Sequence, residues 1–292
     1  MISGYDRYMQ IARCFRDEDL RGNRQPEFTQ IDLELSFITP EEVYRLVEGL
    51  MVKLFGELLE IEVPIPFPRM TYEEAMEQYG SDAPDTRFEL KLVDLSDIAS
   101  ECGLRVFSEV VKKGGLVKAI RVPGGADLSR KALDDLTEFA EIYGAKGMAW
   151  VKRNEEGWQS PIAKFFSEEH QAALDKRTSM EVGDLVLFCA DKPRIVHDAL
   201  GNLRKEIARQ RGLIPENEFR FVWVTDFPLF EYSEAEKRFV SSHHPFTMPN
   251  LEDLEAYGQD QPERIRSRAY DITLNGVEIG GGSIRIHRGD IP

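Results

Sequence analysis

The sequence has few cysteines, and their spacing does not form a metal-binding pattern. Its 292 residues include three, Cys14, Cys102 and Cys189, and none belongs to a CxxC pair. An odd number without paired spacing gives neither a disulfide framework nor a zinc framework and is typical of a reducing compartment. We therefore expect a cytoplasmic protein whose thiols are core or bystander groups.

Long hydrophobic runs are also missing. The longest apolar run, Leu185 to Ala190, is far shorter than the ~18 residues that a membrane-spanning helix needs. The residues behind Met1, Ile-Ser-Gly-Tyr-Asp, do not resemble a signal peptide. We therefore expect no membrane segment and no membrane partner.

Positive charge is scarce, with 37 Lys and Arg against 52 Asp and Glu and a net charge of -15. A surface of that sign repels polyanions, so any contact with nucleic acid has to be local. The remaining composition, 42% hydrophobic and 30% charged, is typical of a globular chain with a sizeable core and excludes disordered and fibrous classes. The length suits about two domains at ~150 residues each.

Two strand-like segments, 8–15 and 28–38, open the chain on either side of a long loop. Apolar and polar residues alternate along the second segment: Ile31, Leu33, Leu35 and Phe37 with Gln30, Asp32, Glu34 and Ser36. This period of two predicts one face in a core and one polar face, which either meets solvent or binds something polar. The loop, 16–27, exceeds the ~2–5 residues of ordinary hairpin loops, and loops of that length usually have a function.

The segment after these strands is typical of a structural helix. Thr39 is a capping residue, Pro40 suits the first turn, and Glu42 completes a capping box. Apolar residues then recur at helical spacing: Val43, Leu46, Val47, Leu50, Met51, Leu54, Phe55, Leu58 and Leu59. A second, shorter helix begins with a capping box at Thr71 and Glu74 and is expected to end near residue 80.

The middle of the chain, from about 88 to 218, alternates short strands and helices and contains no chemical motif. The pattern predicts strands near 104–110, 116–122, 147–152 and 184–190, and helices near 130–143 and 194–210. An α+β module inserted between two parts of another domain has this pattern.

The last stretch predicts a strand at 219–225 and then a hairpin turning at Asn275-Gly276. In a two-residue turn Thr273 faces Glu278, so Asp271 becomes the diagonal neighbour of Glu278 on the same sheet face. Two carboxylates that close are unfavourable unless a cation lies between them, and Mg2+ takes one or two carboxylates plus phosphate oxygens. The alternative is a pair of solvated acids on an exposed face.

Arg285 follows Glu278 by an odd step of seven residues, which places it on the opposite face of a regular strand. A bulge within the glycines 280–282 would add one residue and restore the shared face. Glycines also let a ligand approach the backbone closely. The alternative is a glycine-rich edge strand.

The sequence from Arg13 to Asp32, RCFRDEDLRGNRQPEFTQID, resembles motif 2 of class II aminoacyl-tRNA synthetases in its aspartyl-tRNA synthetase form. His243-His-Pro-Phe-Thr and the segment 269–287 resemble downstream segments of the same family. The middle module is similar to the insertion domain of its bacterial members. The resemblance covers essentially the whole chain.

The resemblance implies an α+β fold, a class II antiparallel-sheet catalytic core interrupted by an α+β insertion domain. Residues 1–87 and 219–292 would be the two parts of the core, and 88–218 the insertion. The implied enzyme is an aspartate-tRNA ligase. It activates L-aspartate with ATP to aspartyl-adenylate, with Mg2+, and transfers the aspartyl group to the 3′ end of tRNA.

The resemblance also implies roles for the first strands. Arg16 would be the catalytic residue that holds the α-phosphate of ATP and also contacts aspartate. Asp17, Glu18 and Gln25 would bind the nucleotide, and Phe28 would stack on adenine.

The amino-acid pocket would be formed by residues from both parts of the core. Gln30 and Asp32 would receive the amino group and polar atoms of aspartate, and His243 would line the pocket. Arg285 would pair bidentately with the side-chain carboxylate, which a planar guanidinium suits better than lysine does. Asp271 and Glu278 would carry Mg2+, and Glu278 would also contact ATP.

Other parts of the family pattern are absent from this sequence: the anticodon-binding barrel, motif 1, an aspartate-binding Gln-and-Lys segment and motif 3. We therefore expect an internal fragment that is poorly active alone and belongs to a homodimeric enzyme. Charging of tRNA(Asp) alone or also of tRNA(Asn) stays open. Two other functions also stay open, a related ligase for asparagine or lysine and a non-catalytic binding module of the same fold.

Overall fold

The computed structural model describes residues 1, 3–17, 25–258 and 260–291. Its strands are β1 (Arg7–Phe15), β2 (Glu27–Leu35), β3 (Arg69–Thr71), β4 (Leu92–Asp94), β5 (Leu116–Val122), β6 (Ala149–Asn154), β7 (Gly157–Gln159), β8 (Leu185–Asp191), β9 (Phe221–Thr225), β10 (Phe230–Ser233), β11 (Arg238–Ser241), β12 (Ala269–Leu274) and β13 (Val277–Ser283). Its α-helices are α1 (Pro40–Leu59), α2 (Tyr72–Tyr79), α3 (Ser96–Glu101), α4 (Arg105–Lys112), α5 (Arg130–Glu141), α6 (Glu168–Thr178), α7 (Pro193–Gln210) and α8 (Leu251–Tyr257). In these described ranges, no helix has both the length and the apolar character needed to cross a membrane.

The mixture of helices with mainly antiparallel sheets confirms the predicted α+β class. The chain divides into two compact units. The first comprises residues 1–68, 229–269 and 282–292, and the second comprises 69–228 and 270–281. The insertion domain and its boundaries at 87/88 and 218/219 stay predictions.

In the first unit, β1 and β2 form an antiparallel pair that runs in register from Arg7 opposite Leu35 to Phe15 opposite Glu27. The helix α1 follows with the predicted capping box, in which the backbone N–H of Thr39 donates to Glu42 Oε2 at 2.8 Å. The local signals for both strands and for the helix start are therefore confirmed.

The apolar stripe of α1 is only partly buried by the described residues. Leu46, Leu58 and Leu59 are 48%, 73% and 52% exposed. The buried residues of this helix are Tyr44 and Glu48 instead, and Glu48 Oε1 accepts a hydrogen bond from the backbone N–H of Phe67. Helical spacing identified the stripe, but it does not show whether another element covers it.

The second unit contains a five-stranded sheet in the order β4-β5-β8-β6-β7, whose neighbouring strands are antiparallel. Alternate residues of its central strands enter two hydrophobic clusters. One cluster joins Leu185 and Leu187 of β8 to α5 and α7, and the other joins Val186 and Phe188 to α3, α4 and α6. The period of two along β8 thus gives the sheet two buried faces.

The predicted strand at 104–110 is wrong, because these residues lie largely in α4. The valines of the segment favour a strand by propensity. Helical spacing nevertheless places Phe107 in the core and Val111 against it, and Arg105 pairs with Glu109 one turn later. Tertiary packing therefore overrides local propensity here. The neighbouring predictions are confirmed, with strands at β5, β6 and β8 and helices at α5 and α7.

A buried arginine fixes the segment 85–90 to α7. The side chain of Arg204 is 0% exposed and lies 4.9 Å and 4.2 Å from the ring centroids of Tyr79 and Phe88. Among the described residues, its guanidinium donates to four backbone carbonyls, those of Asp85, Phe88, Glu89 and Leu90. Burial lowers the pKa of Arg204 to about 10.

A four-stranded sheet in the order β13-β12-β9-β3 carries the predicted hairpin. Strands β12 and β13 join at Asn275 and Gly276, whose φ angles of 53° and 80° are those of a type I′ turn. Asn275 also anchors the turn, since its side chain accepts from the N–H of Arg220 and donates to the carbonyl of Glu218. The Asn-Gly prediction is confirmed.

Candidate active site

One face of the β1–β2 pair carries the predicted polar row. Phe28, Gln30 and Asp32 lie directly opposite Cys14, Ala12 and Gln10, and these alternate residues of β2 point to the same side. The row spans about 13 Å along the strand. The thiol of Cys14 donates to Gln30 Oε1 at 3.0 Å across the pair. Alternation in the sequence therefore identified the shared polar face. The predicted burial of the opposite face is wrong for the described residues, because Ile31 is 54% exposed and Phe37, which lies beyond the end of β2, is 96% exposed.

Arg16 lies at the end of this row. Its backbone N–H donates to the carbonyl of Pro26 at 2.9 Å, and its guanidinium carbon lies 5.2 Å from the ring centroid of Phe28. A cation held against an aromatic ring at the edge of a polar face provides charge and a stacking surface side by side. Gln25 is exposed just before β2, and Glu18 lies outside the described residues.

A second cluster surrounds Arg285. Its Nη1 donates to Ser283 Oγ at 2.9 Å and lies 3.3 Å from His244 Nδ1. The backbone of Arg285 pairs with that of Thr247, and hydrogen bonds from Ile286 and Met248 to Phe246 and Ile284 support this bridge on both sides. The exposed side chain of Arg285 is therefore held at its backbone and at Nη1.

His244 and Ser283 belong to this cluster but are not among the site residues predicted from the sequence. The prediction named His243, which is exposed, whereas His244 is half-buried and contacts Arg285. Burial lowers the pKa of His244, and the charge of Arg285 acts in the same direction. The adjacent histidines 243 and 244 mark this segment in the sequence. The sequence does not indicate which of the two rings contacts Arg285, which follows His244 by 41 residues.

The third cluster is the predicted carboxylate pair of the second unit. Burial raises the pKa of Asp271 to about 7, and the nearby charges of Glu278 and Asp82 act in the same direction. Gly281 also lies against this group, since a Cβ at 281 would overlap Asp271 Oδ1. The predicted proximity of Asp271 and Glu278 therefore agrees with the electrostatics of the hairpin.

Asp271 and Glu278 offer oxygen ligands, the kind that a hard divalent cation such as Mg2+ takes. Across the part of the chain that the structure describes, no group of three or more His, Cys, Asp or Glu residues is arranged to hold a metal ion. Two mutually repelling carboxylates are a favourable environment for a divalent cation, and Mg2+ commonly uses one or two of them together with phosphate oxygens.

The predicted site residues thus fall into three clusters. Arg16, Phe28, Gln30 and Asp32 line one strand face, Arg285 lies with Ser283 and His244, and Asp271 lies near Glu278. The first two clusters belong to the first unit and the third to the second unit.

Comparison with known proteins identifies the family of the chain. The family described as tRNA synthetases class II (D, K and N) matches residues 1–291. A curated Aspartate--tRNA(Asp/Asn) ligase from Desulfosudis oleivorans is 58% identical over 287 residues, which cover 98% of this chain and 48% of that protein. A protein of the same name from Halothermothrix orenii is 55% identical over 291 residues, covering 100% of this chain and 49% of its own length.

A third relative has a different name. The Aspartate--tRNA ligase of Macrococcus caseolyticus is 54% identical over 288 residues, covering 98% of this chain and 48% of that protein. The chain therefore spans about half the length of the curated relatives it matches.

Proposed function

Because the chain belongs to the family of class II tRNA synthetases (D, K and N), we propose that it supplies catalytic residues of an aspartate-tRNA ligase. The enzyme activates L-aspartate with ATP and then transfers the aspartyl group to the 3′ end of tRNA. The names of the relatives support this reaction. The structural observation that carries the proposal is the exposed guanidinium of Arg285, held in place by Ser283 and His244.

The amino acid is bound through its charged groups. Arg285 presents a planar fork to the side-chain carboxylate, and this geometry favours two parallel hydrogen bonds. Asp32 and Gln30 receive the ammonium group of aspartate. An ammonium group needs hydrogen-bond acceptors, and the carboxylate and the amide on this strand face provide them. His243 lines the same pocket.

The nucleotide is bound at the end of the β1–β2 pair. Phe28 provides the stacking surface for adenine, Arg16 contacts the α-phosphate, and Asp17, Glu18 and Gln25 contact the remaining polar groups. The α-carboxylate of aspartate attacks the α-phosphorus in line, and the bond to pyrophosphate breaks. Arg16 acts by orientation and by balancing the negative charge of the reacting phosphate, so this step requires no side-chain nucleophile.

Asp271 and Glu278 are the proposed ligands of Mg2+. The raised pKa of Asp271 supports this, since a cation between the two groups would relieve the repulsion that burial intensifies. The ion would supply positive charge for the phosphates of ATP.

In the second step, a hydroxyl of the terminal adenosine of tRNA attacks the acyl carbon of aspartyl-adenylate, and AMP leaves.

The partners follow from the reaction. They are L-aspartate, ATP and tRNA(Asp), with tRNA(Asn) as a second candidate because two of the relatives carry the Asp/Asn name. Three free cysteines support a cytoplasmic location. We also propose that the longer enzyme is a homodimer, which analytical ultracentrifugation of a protein of the relatives' length tests directly.

Aspartate-dependent exchange of pyrophosphate into ATP tests the proposal. It is measured on this chain and on a version extended to the length of the relatives, with asparagine and lysine as control substrates. We expect exchange with aspartate in the extended protein and weak exchange in this chain. An extended protein that is inert with every amino acid would favour the binding module, and a preference for asparagine or lysine would favour a related ligase.

A further inference from the structure

His244 contacts two hydrogen-bond donors through a single ring nitrogen. The backbone N–H of Phe246 donates to His244 Nδ1 at 3.1 Å, and Nη1 of Arg285 lies 3.3 Å from the same atom. A guanidinium has only donors and is always charged at ordinary pH. Nδ1 therefore has to be an acceptor, which places the ring proton on Nε2 and keeps the imidazole neutral.

The same guanidinium nitrogen has a second acceptor. Ser283 Oγ accepts from Arg285 Nη1 at 2.9 Å, so two groups from different parts of the chain hold this nitrogen. Within the described ranges, Nε and Nη2 of Arg285 have no protein partner. The edge formed by Nε and Nη2 is one of the two edges that receive a carboxylate bidentately, and it remains available.

The backbone supports this arrangement. Thr247 pairs with Arg285 in an antiparallel bridge, and the N–H of Thr247 donates to the carbonyl of His244 at 3.1 Å. His244 and Arg285 are thus connected through the main chain as well as through their side chains. A movement of the imidazole would therefore act on the guanidinium directly.

We propose that His244 is a positioning residue for Arg285: its neutral Nδ1 holds Nη1 so that the Nε–Nη2 edge faces the substrate carboxylate. This inference rests on the proposed function for its substrate. It assigns to His244 a different task from that of His243, because His244 acts through the arginine. Protonation of Nδ1 would oppose two donors at once, so the positioning requires the neutral ring.

Two matched substitutions separate positioning from simple packing. In His244→Asn the side-chain oxygen can replace Nδ1, whereas in His244→Gln it lies closer to the position of Nε2. In pyrophosphate exchange by the extended protein, we expect His244→Gln to raise the KM for aspartate by about tenfold, the cost of a lost hydrogen bond to a charged group. The kcat and the KM for ATP should change little, and His244→Asn should stay within about threefold of the parent protein.

The outcomes are distinct. The positioning role would be overturned if His244→Gln and His244→Asn had the same KM for aspartate. It would also be overturned if both variants lost activity equally and bound ATP more weakly. A second measurement does not depend on the ligase assignment. Long-range 1H–15N spectra report which ring nitrogen of His244 carries the proton, and the signals of this ring are identified by their loss in His244→Asn. A proton on Nε2 alone is expected at pH 8, and a proton on Nδ1 would overturn the proposal even if the protein activated no amino acid.

Discussion

Asp271 and Gly281 approach each other so closely that a Cβ at position 281 would overlap the Asp271 carboxylate. The backbone of Gly281 is not in the left-handed region, so its need for glycine is a matter of space. Gly280 is the matched neighbour, because a Cβ there would meet only Ile272 Cγ2 at an ordinary 3.5 Å.

Gly281→Ala should therefore force the Asp271 carboxylate away from its position near Glu278. We expect the apparent affinity for Mg2+ to fall by about tenfold, the usual size of an effect on groups that orient a metal ligand. The measurement is the Mg2+-dependent rise in Tm. Gly280→Ala should keep this rise, and an equal loss in both variants would indicate general disruption of the strand.

The pKa of Asp271 predicts a stability that depends on pH in the absence of metal. Its folded-state pKa of about 7 lies well above the ordinary value of 3.8 for an aspartate carboxyl. The folded state therefore binds the proton more tightly than the unfolded chain, and stability is lost as pH rises from about 4 through 7. Asp271→Asn removes the buried charge and should increase the free energy of unfolding at pH 8 by about 2 kcal/mol.

Urea unfolding with EDTA checks this prediction at pH 8 and pH 5. The advantage of Asp271→Asn should shrink by more than half at the lower pH, because the parent carboxyl is then protonated in the folded state. Added Mg2+ should stabilise the parent at pH 8 and leave the variant unchanged. A variant that is less stable at pH 8 without metal would contradict the assigned environment.

Arg204 should be essential for the stability of the second unit. Arg204→Met leaves several buried carbonyls without their donor, and we expect a loss of about 3 kcal/mol. Arg194→Met is the control on the same helix, because the Arg194 side chain is 93% exposed and its ion pair with Asp198 should contribute less than about 0.5 kcal/mol. Urea unfolding of both variants gives the comparison.

Local patterns predicted the parts of the fold that depend on neighbours in sequence. The Thr39 capping box, the Asn275-Gly276 turn and the alternation of Phe28, Gln30 and Asp32 all involve residues a few positions apart. Each of these features has a defined local geometry, so the sequence alone was sufficient to predict it. The diagonal placement of Asp271 and Glu278 was predicted from the turn in the same way, and the charge of Glu278 acts on Asp271 in the direction that this placement requires.

The remaining features depend on contacts between distant residues. α4 is a helix because Phe107 packs into a core that residues 95–188 build, which valine propensity does not reveal. Arg204 meets carbonyls more than 100 positions earlier, and His244 meets Arg285 41 positions later. The exposure of α1 likewise depends on what covers its stripe rather than on the spacing of its leucines.

The most direct measurement of the central claim is the selectivity of the extended protein before and after Arg285→Gln. The guanidinium of Arg285 is proposed to select aspartate by its side-chain carboxylate. In pyrophosphate exchange we expect kcat/KM for aspartate to fall by about a thousandfold, because a charged bidentate contact is lost, while the low value for asparagine changes little. An Arg285→Gln protein that still activates aspartate at the parental rate would contradict the account.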